Sequence, residues 1–400
     1  MTAPSSKLSL EVLQAATATA AAFRCRRTLQ PGGGEGDKVF PPTYVDANYA
    51  VEKRHVPGKT EPVTCVLLDS VQSQANRMEL ALQKDHEELN LPIVEVDFTG
   101  ANLGERVGKI STLQAPHRIA DAILRDSELD GKAFRKSEIG TGITVASAQN
   151  ATVLFKYCPT ALIFGMWDST GPKGGGGTKF ERAVVSEVVG VNASLSDSHQ
   201  NRGVRNDPLE IRAQVKITQN KDATWAIASD PKAKGTQSPS EINHGNIPFS
   251  SNNAGTTIEY AEQITTLSLI CLRRLRFPTK DAPSTTATDR AAQTVLAALG
   301  LCAATLAFEN GMALRSRCLL WPQTTMQWEL LSTPGEAPKS YSLSSDEAKA
   351  LLKEAVAAAE KAGLPWPKEK ITLKPTTGLI DLVRKSQEQA VKKVEDKSGN

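Results

Sequence analysis

Asp69-Ser70-Val71-Gln72-Ser73-Gln74-Ala75-Asn76-Arg77 carries seven polar side chains in nine positions, just where an apolar, β-branched stretch hands over to a helix-forming one. The first turn of a helix leaves backbone N–H groups without partners, and hydroxyl and amide side chains beside them can ring a phosphate or a ribose. Arg77 would supply the charge. The same residues also make an over-determined helix cap, because Ser and Asp favour that position. A second stretch suited to anions is Gly171-Pro172-Lys173-Gly174-Gly175-Gly176-Gly177-Thr178-Lys179. It departs from the nucleotide loop, since that motif needs Gly-Lys-Ser/Thr opening a helix, and here Thr178 precedes Lys179 with strand-like residues after it; nucleotide binding stays as a third reading that would need a magnesium ligand the sequence does not offer. What remains is a basic loop flanked by Lys173, Lys179 and Arg182, fit for a sugar–phosphate backbone or for a plain hairpin connection.

His117 and Arg118 follow Pro116 where a helix is expected to begin, so both could face a ligand at its positive end. His244 and Asn246 stand in a polar loop, and Arg273, Arg274 and Arg276 close a predicted helix, where cations complement exposed carbonyls. Five His in the chain, with no His-Glu-x-x-His and no Gly-x-Ser-x-Gly, give no hydrolase or metal signature. Acid–base cleavage of RNA by His117 or His244 stays as an alternative. Cys25, Cys65, Cys158, Cys271, Cys302 and Cys318 are scattered without a Cys-x-x-Cys pair, which argues against a disulfide framework and a zinc site.

The elements that must position these residues read as follows. The first segment, 8–29, contains a basic cluster, Arg24, Arg26 and Arg27, that alternates with Phe23 and Cys25 as an extended strand would, and a Pro- and Gly-rich excursion follows over 31–62. Strand 63–68, helix 74–84 and strand 92–98 outline a βαβ unit. A helix is expected over 115–129, a strand over 160–167, and strands over 180–191 and 209–218 that form a hairpin or the stem of a finger. Residues 222–254 read as loop, 258–275 as helix, 294–308 as an alanine-rich helix and 318–321 as a strand. Ser344 or Ser345 caps a helix over 346–362 that Gly363 and Pro365 stop. The tail beyond 382 is charged, its last dozen residues expected to be disordered. Four hundred residues, 40% hydrophobic and 23% charged, suit one large domain with insertions or two domains. A net charge of +3 means that any polyanion contact must come from local clustering. No export signal is read in the alanines of 15–22, and 294–308 reads as too short to span a bilayer, so a cytoplasmic protein is expected.

Several runs resemble a known family. They are Leu67-Leu68-Asp69-Ser70-Val71-Gln72-Ser73-Gln74-Ala75-Asn76-Arg77, Ala115-Pro116-His117-Arg118-Ile119-Ala120-Asp121-Ala122-Ile123, Cys158-Pro159-Thr160-Ala161-Leu162-Ile163-Phe164-Gly165 with Trp167-Asp168-Ser169-Thr170-Gly171-Pro172, and Pro239-Ser240-Glu241-Ile242-Asn243-His244-Gly245-Asn246. In that order, from about Phe40 to Pro278, they resemble the backbone RAMP subunit of type I-G (formerly I-U) CRISPR systems. The resemblance implies an α+β fold: an RRM-like (ferredoxin-like) palm with an inserted helical or irregular domain and a β-hairpin thumb. The palm would take 1–30 and 63–330, an irregular insertion 31–62, a helical or irregular insertion 99–157, thumb or finger loops 192–255, a C-terminal helical region 331–382 and a flexible tail 383–400.

The same resemblance implies a non-catalytic subunit, without cofactor, metal or membrane, whose copies polymerise head to tail along crRNA and present its spacer to target DNA. Its other partners would be further Cascade subunits, including the fused crRNA-end-binding/processing subunit and the large subunit, and a recruited helicase-nuclease. A RAMP-type endoribonuclease is the runner-up. RNA contacts are expected from Ser70, Gln72, Ser73, Gln74, Asn76, Arg77, His117, Arg118, Lys173, Lys179, Arg182, His244 and Asn246. Asn76 stands where many relatives carry lysine. Aromatics make up 5% of the chain and no RNP signature appears, so gripping of the backbone is expected in place of base stacking.

Overall fold

Alternation along β1 (Ala22–Pro31) buries Phe23, Cys25, Arg27 and Leu29 on one face and turns Arg24 and Arg26 to the other. The computed structural model describes residues 6–45, 48–104, 107–171, 177–195, 207–212, 214–220, 222, 224–244, 255–279 and 282–398, with side chains to 389. In chain order the elements that matter are α1 (Leu10–Thr19), β1, β2 (Val51–Arg54), β3 (Val63–Asp69), α2 (Val71–Lys84), β4 (Val184–Val191), β5 (Tyr260–Ser268) and α3 (Thr286–Phe308). After them come β6 (Met312–Arg315), β7 (Cys318–Pro322), β8 (Gln327–Leu331), β9 (Lys339–Ser342) and α4 (Ser345–Lys361).

The main sheet runs β9-β8-β1-β5-β4-β3-β2, each neighbour antiparallel, and β7 adds a third partner to β1. Within it, β1, α2, β4, β5, α3 and β8 follow one another as strand, helix, strand, strand, helix, strand, in the spatial order β8-β1-β5-β4. The molecule is thus an α+β protein, with α2 and α3 packed on the sheet.

Helix α3 is apolar all round because it lies between the sheet and other helices, packing on α1, α2 and α4. A Cβ at Gly300 would come within 2.9 Å of Val184, so glycine is what lets the helix approach β4. The expectation that this segment is too short to span a bilayer needs correction. Thr285 caps it with a capping box, and its 23 residues are long and apolar enough to cross a membrane; 83% of its most apolar window is instead buried inside the protein.

Other expectations are also revised. Val94–Asp97 is a strand, but it leaves the sheet of β3 and pairs in parallel with Ile371–Pro375 in a second sheet. Both edges of β3 are already taken, by β2 and β4, so no βαβ unit can close there. Residues 115–129 break into a 3-10 turn at Arg118–Ala120, a short helix at Ala122–Arg125 and a strand at Ser127–Leu129, because Asp121 caps a new helix start. Thr160–Phe164 is a buried helix and only Met166–Trp167 is extended. The stretch read as helix over 258–275 is β5 followed by a single turn, Leu269–Leu272. Strand β4 pairs with β5 and β3 and makes no hairpin with 209–218.

The chain divides into two units, residues 1–195 with 255–376, and residues 196–254 with 377–400. In the second, Ile217–Gln219 pairs with Trp225–Ile227, Pro239–Ile242 forms a 3-10 turn, and Thr377–Ser398 is helical where a disordered tail was expected.

Candidate nucleic-acid interface

The end of β3 and the start of α2 are locked together by one buried carboxylate. Ser70 has extended backbone and caps the helix, its hydroxyl accepting from the Ser73 N–H at 3.3 Å. Asp69, 1% exposed, accepts from the Ser73 hydroxyl (2.8 Å), the Gln74 amide (2.6 Å) and Arg77 Nε (2.8 Å). Arg77 Nη2 reaches the other carboxylate oxygen at 3.3 Å and donates to the Leu314 carbonyl at 2.8 Å. Arg315 adds a second guanidinium 3.5 Å from Asp69 and donates to the Leu68 and Phe40 carbonyls. Two cations on one anion leave a net positive charge, and both arginine side chains keep about a quarter of their surface, 28% and 26%, in solvent.

The expected polar segment therefore splits. Gln72 and Asn76 are exposed and Ser70 and Ser73 half-buried, open to a ligand. Gln74 is not: it is fully buried, and its carbonyl oxygen accepts from Ser186 (2.9 Å) and Gln263 (3.0 Å) in a network that continues to Thr265. It holds α2 to β4 and β5, so it is a core residue and not a surface contact.

Arg118 is also corrected. It lies inside the protein with φ +55°, gripping both oxygens of Glu79 at 2.6 and 2.9 Å, donating to the Gly165 carbonyl and lying 5.5 Å above the Phe164 ring. Burial pushes the Glu79 carboxyl up to about 7, against the pull of the Arg118 charge. The helix start expected after Pro116 is a single 3-10 turn, and His117 beside it is exposed, its backbone N–H donating to Asp121.

Lys179, on the two-residue strand Lys179–Phe180, and Arg182, just beyond it, are both exposed. Lys179 Nζ stands 5.9 Å from the ring of Trp167, itself 57% exposed, and Arg182 donates to the Phe164 carbonyl. Lys173 and Asn246 lie outside the described residues. His244 belongs to the second unit, where its Nδ1 is 3.1 Å from the buried carboxylate of Asp207. Arg273 donates to the Thr17 and Ala20 carbonyls and so closes α1 and not its own segment.

The residue that sequence reasoning missed is Arg315. No local signal could have found it, since Ser316-Arg317 is not one of the pairs that announce a two-residue hairpin and its anchor, Asp69, lies far off in the sequence. Among the described residues no group of three or more His, Cys, Asp and Glu could hold a metal ion.

Residues 23–195 match the family model of the CRISPR-associated protein GSU0053. Among solved structures the chain is similar to Csc2 of Thermofilum pendens, at 12% identity over 94% of this chain and 77% of that one, with a TM-score of 0.26. No curated protein matches the sequence. The matched stretch, residues 23–195, is the part of the chain that carries Asp69, Arg77, Glu79 and Arg118.

Proposed function

We propose that the chain is the repeated, non-catalytic backbone subunit of a type I-G CRISPR effector complex, working in the cytoplasm. Its copies assemble head to tail along crRNA, hold the sugar–phosphate backbone and leave the spacer bases free to pair with target DNA. In this reading the main sheet with α2 and α3 is an RRM-like palm, residues 192–255 supply the thumb or finger loops, and further Cascade subunits and a helicase-nuclease join the assembly. The strand order β8-β1-β5-β4 supports the palm, being the order of a ferredoxin-like sheet.

The observation that carries the proposal is the Asp69 cluster. Two guanidiniums, each about a quarter exposed, exceed the charge of the one carboxylate that orients them, beside the exposed amides of Gln72 and Asn76. Such a surface suits a phosphodiester and offers no pocket for a particular base. Lys179 and Arg182 extend the basic character, and the non-enzyme reading agrees with the absence of nucleophile and metal motifs from the sequence.

The test is assembly. Mixed with guide RNAs of increasing length, the purified protein should form oligomers whose mass rises in steps with RNA length, whatever the spacer sequence. Monomer at every length would end the proposal. One observation favours the runner-up, RNA cleavage: the His244–Asp207 pair orients an imidazole as a general base requires. Guide cleavage abolished by His244→Ala, with binding retained, would favour it.

A further inference from the structure

We infer that Arg317, at the tip of the β6–β7 hairpin, is a phosphate contact that completes the Asp69 cluster, so that three arginines from two distant parts of the chain grip one stretch of single-stranded RNA backbone. The inference rests on the RNA-binding reading above. Arg315 pairs with Cys318 across the hairpin, which leaves Ser316 and Arg317 as a two-residue turn. Arg317 has φ +56°, a left-handed conformation that glycine or asparagine adopts at lower cost. An arginine kept in a position that disfavours it points to its side chain, and not its backbone, as what is used there.

That side chain is exposed and lies on the Phe40 ring, with Cζ 4.3 Å from the centroid. Phe40 is tied to both arginines of the turn, since its N–H donates to the Arg317 carbonyl at 3.1 Å and its carbonyl accepts from Arg315 Nη1 at 3.3 Å. Arg315 in turn shares Asp69 with Arg77. Three guanidiniums are thereby linked in series to one carboxylate, and among the described residues Arg317 has no acidic partner of its own. A guanidinium laid flat on an aromatic ring keeps its N–H edge free and loses little freedom when it binds an anion. A phosphodiester is the anion that fits a row of such edges.

The experiment compares wild type with Arg317→Gly and Arg317→Asn, both at ease in the left-handed region, by anisotropy of fluorescein-labelled oligouridylate over a range of salt. Both variants should melt no lower than wild type, bind about tenfold more weakly, and show a salt slope reduced by about 0.7, as for one lost phosphate contact. Unchanged affinity and slope in both would overturn the inference alone. RNA-dependent association of copies that weakens while RNA affinity and slope hold would also overturn it, by assigning Arg317 to a carboxylate of a second copy. Wild type that takes up no RNA overturns the reading of the whole site, this inference included. Should the neutral variants unfold, Arg317→Lys decides: the phosphate contact requires affinity within about threefold of wild type and an undiminished slope, and loss of either rejects it.

Discussion

Two buried carboxylates serve helix α2, Asp69 just before its first residue and Glu79 in its middle, and they use their arginines in opposite ways. Glu79 holds one guanidinium, 9% exposed, in a closed pair whose charges cancel. Asp69 holds two, each about a quarter exposed, and its pairing leaves a positive remainder at the surface. A closed pair inside the protein is a strut, since its charge is spent internally and its desolvation is a cost that only good geometry offsets. A two-to-one cluster at the rim is a presenting device, because the anchor fixes the direction of cations that an external anion can still meet. What separates Arg77 from Arg118 is therefore the stoichiometry and depth of the partner, not residue type.

The strut is broken most severely by Glu79→Ala, which leaves Arg118 buried without the carboxylate that accepts its two hydrogen bonds. We expect a loss of about 3–5 kcal/mol in denaturant unfolding, with RNA affinity of the folded fraction unchanged. The pH dependence follows from the same burial. The Glu79 carboxyl titrates near 7 in the folded protein and near 4.5 when unfolded, so the folded state holds the proton more tightly. Its contribution to stability therefore declines as pH rises from about 4.5 through 7 and is level above that. Wild type should show this decline and Glu79→Ala should lack it. Parallel stability–pH curves for the two proteins would break the contrast from the side of the strut.

Asp69→Asn attacks the other anchor. Loss of a buried acceptor shared by Ser73, Gln74, Arg77 and Arg315 should cost about 2–3 kcal/mol, less than the strut because both arginines can turn toward solvent. RNA affinity should fall even though net charge rises by one. If affinity rises instead, total charge matters and placement does not, and the distinction between strut and presenter loses its meaning. Arg77→Met comes next in size. Binding should weaken about tenfold and equally for unrelated spacers, and the salt slope should drop by about 0.7; a defect that varies strongly with spacer sequence would mean that bases are being read here.

The sequence made Arg77 legible and hid Arg315 for one reason. Arg77 lies eight residues from its anchor, on a helix whose cap the Ser and Asp residues announce, whereas Arg315 meets Asp69 only through the fold. The same distinction runs through the architecture. Helix α4 could be read from its cap and stop signals, and residues 294–308 of α3 from their alanine-rich composition, while the start of α3 at its Thr285 cap was missed. Strand β5 could not, because two of its four inward residues are Gln263 and Thr265, placed there to satisfy Gln74 and Ser186. Those polar residues erase the period-two signal, and Ile258, Ala261, Ile264 and Leu267, spaced by threes, imitate a helix. At residues 160–164 every side chain is buried, so an apolar run carries no period at all and strand cannot be told from helix. Arg118 was misread because Pro116 suggested a helix start, while its destination, Glu79, lies on another element.

The finest test concerns the two exposed positions between these anchors. Gln72 and Asn76 are one helical turn apart, next to Ser73 and Arg77, and neither is needed by the core. Replacing either by Ala should leave stability within about 0.5 kcal/mol of wild type, unlike any change at Asp69 or Glu79. RNA affinity should fall by about threefold for each, the value of one neutral hydrogen bond. Asn76→Lys should act in the opposite sense, because a cation set beside Arg77 meets the same phosphate row: tighter binding, and a salt slope about 0.7 steeper. If Asn76→Lys leaves the slope unchanged, the RNA does not pass along this turn of α2, and the presenting role narrows to the arginines alone.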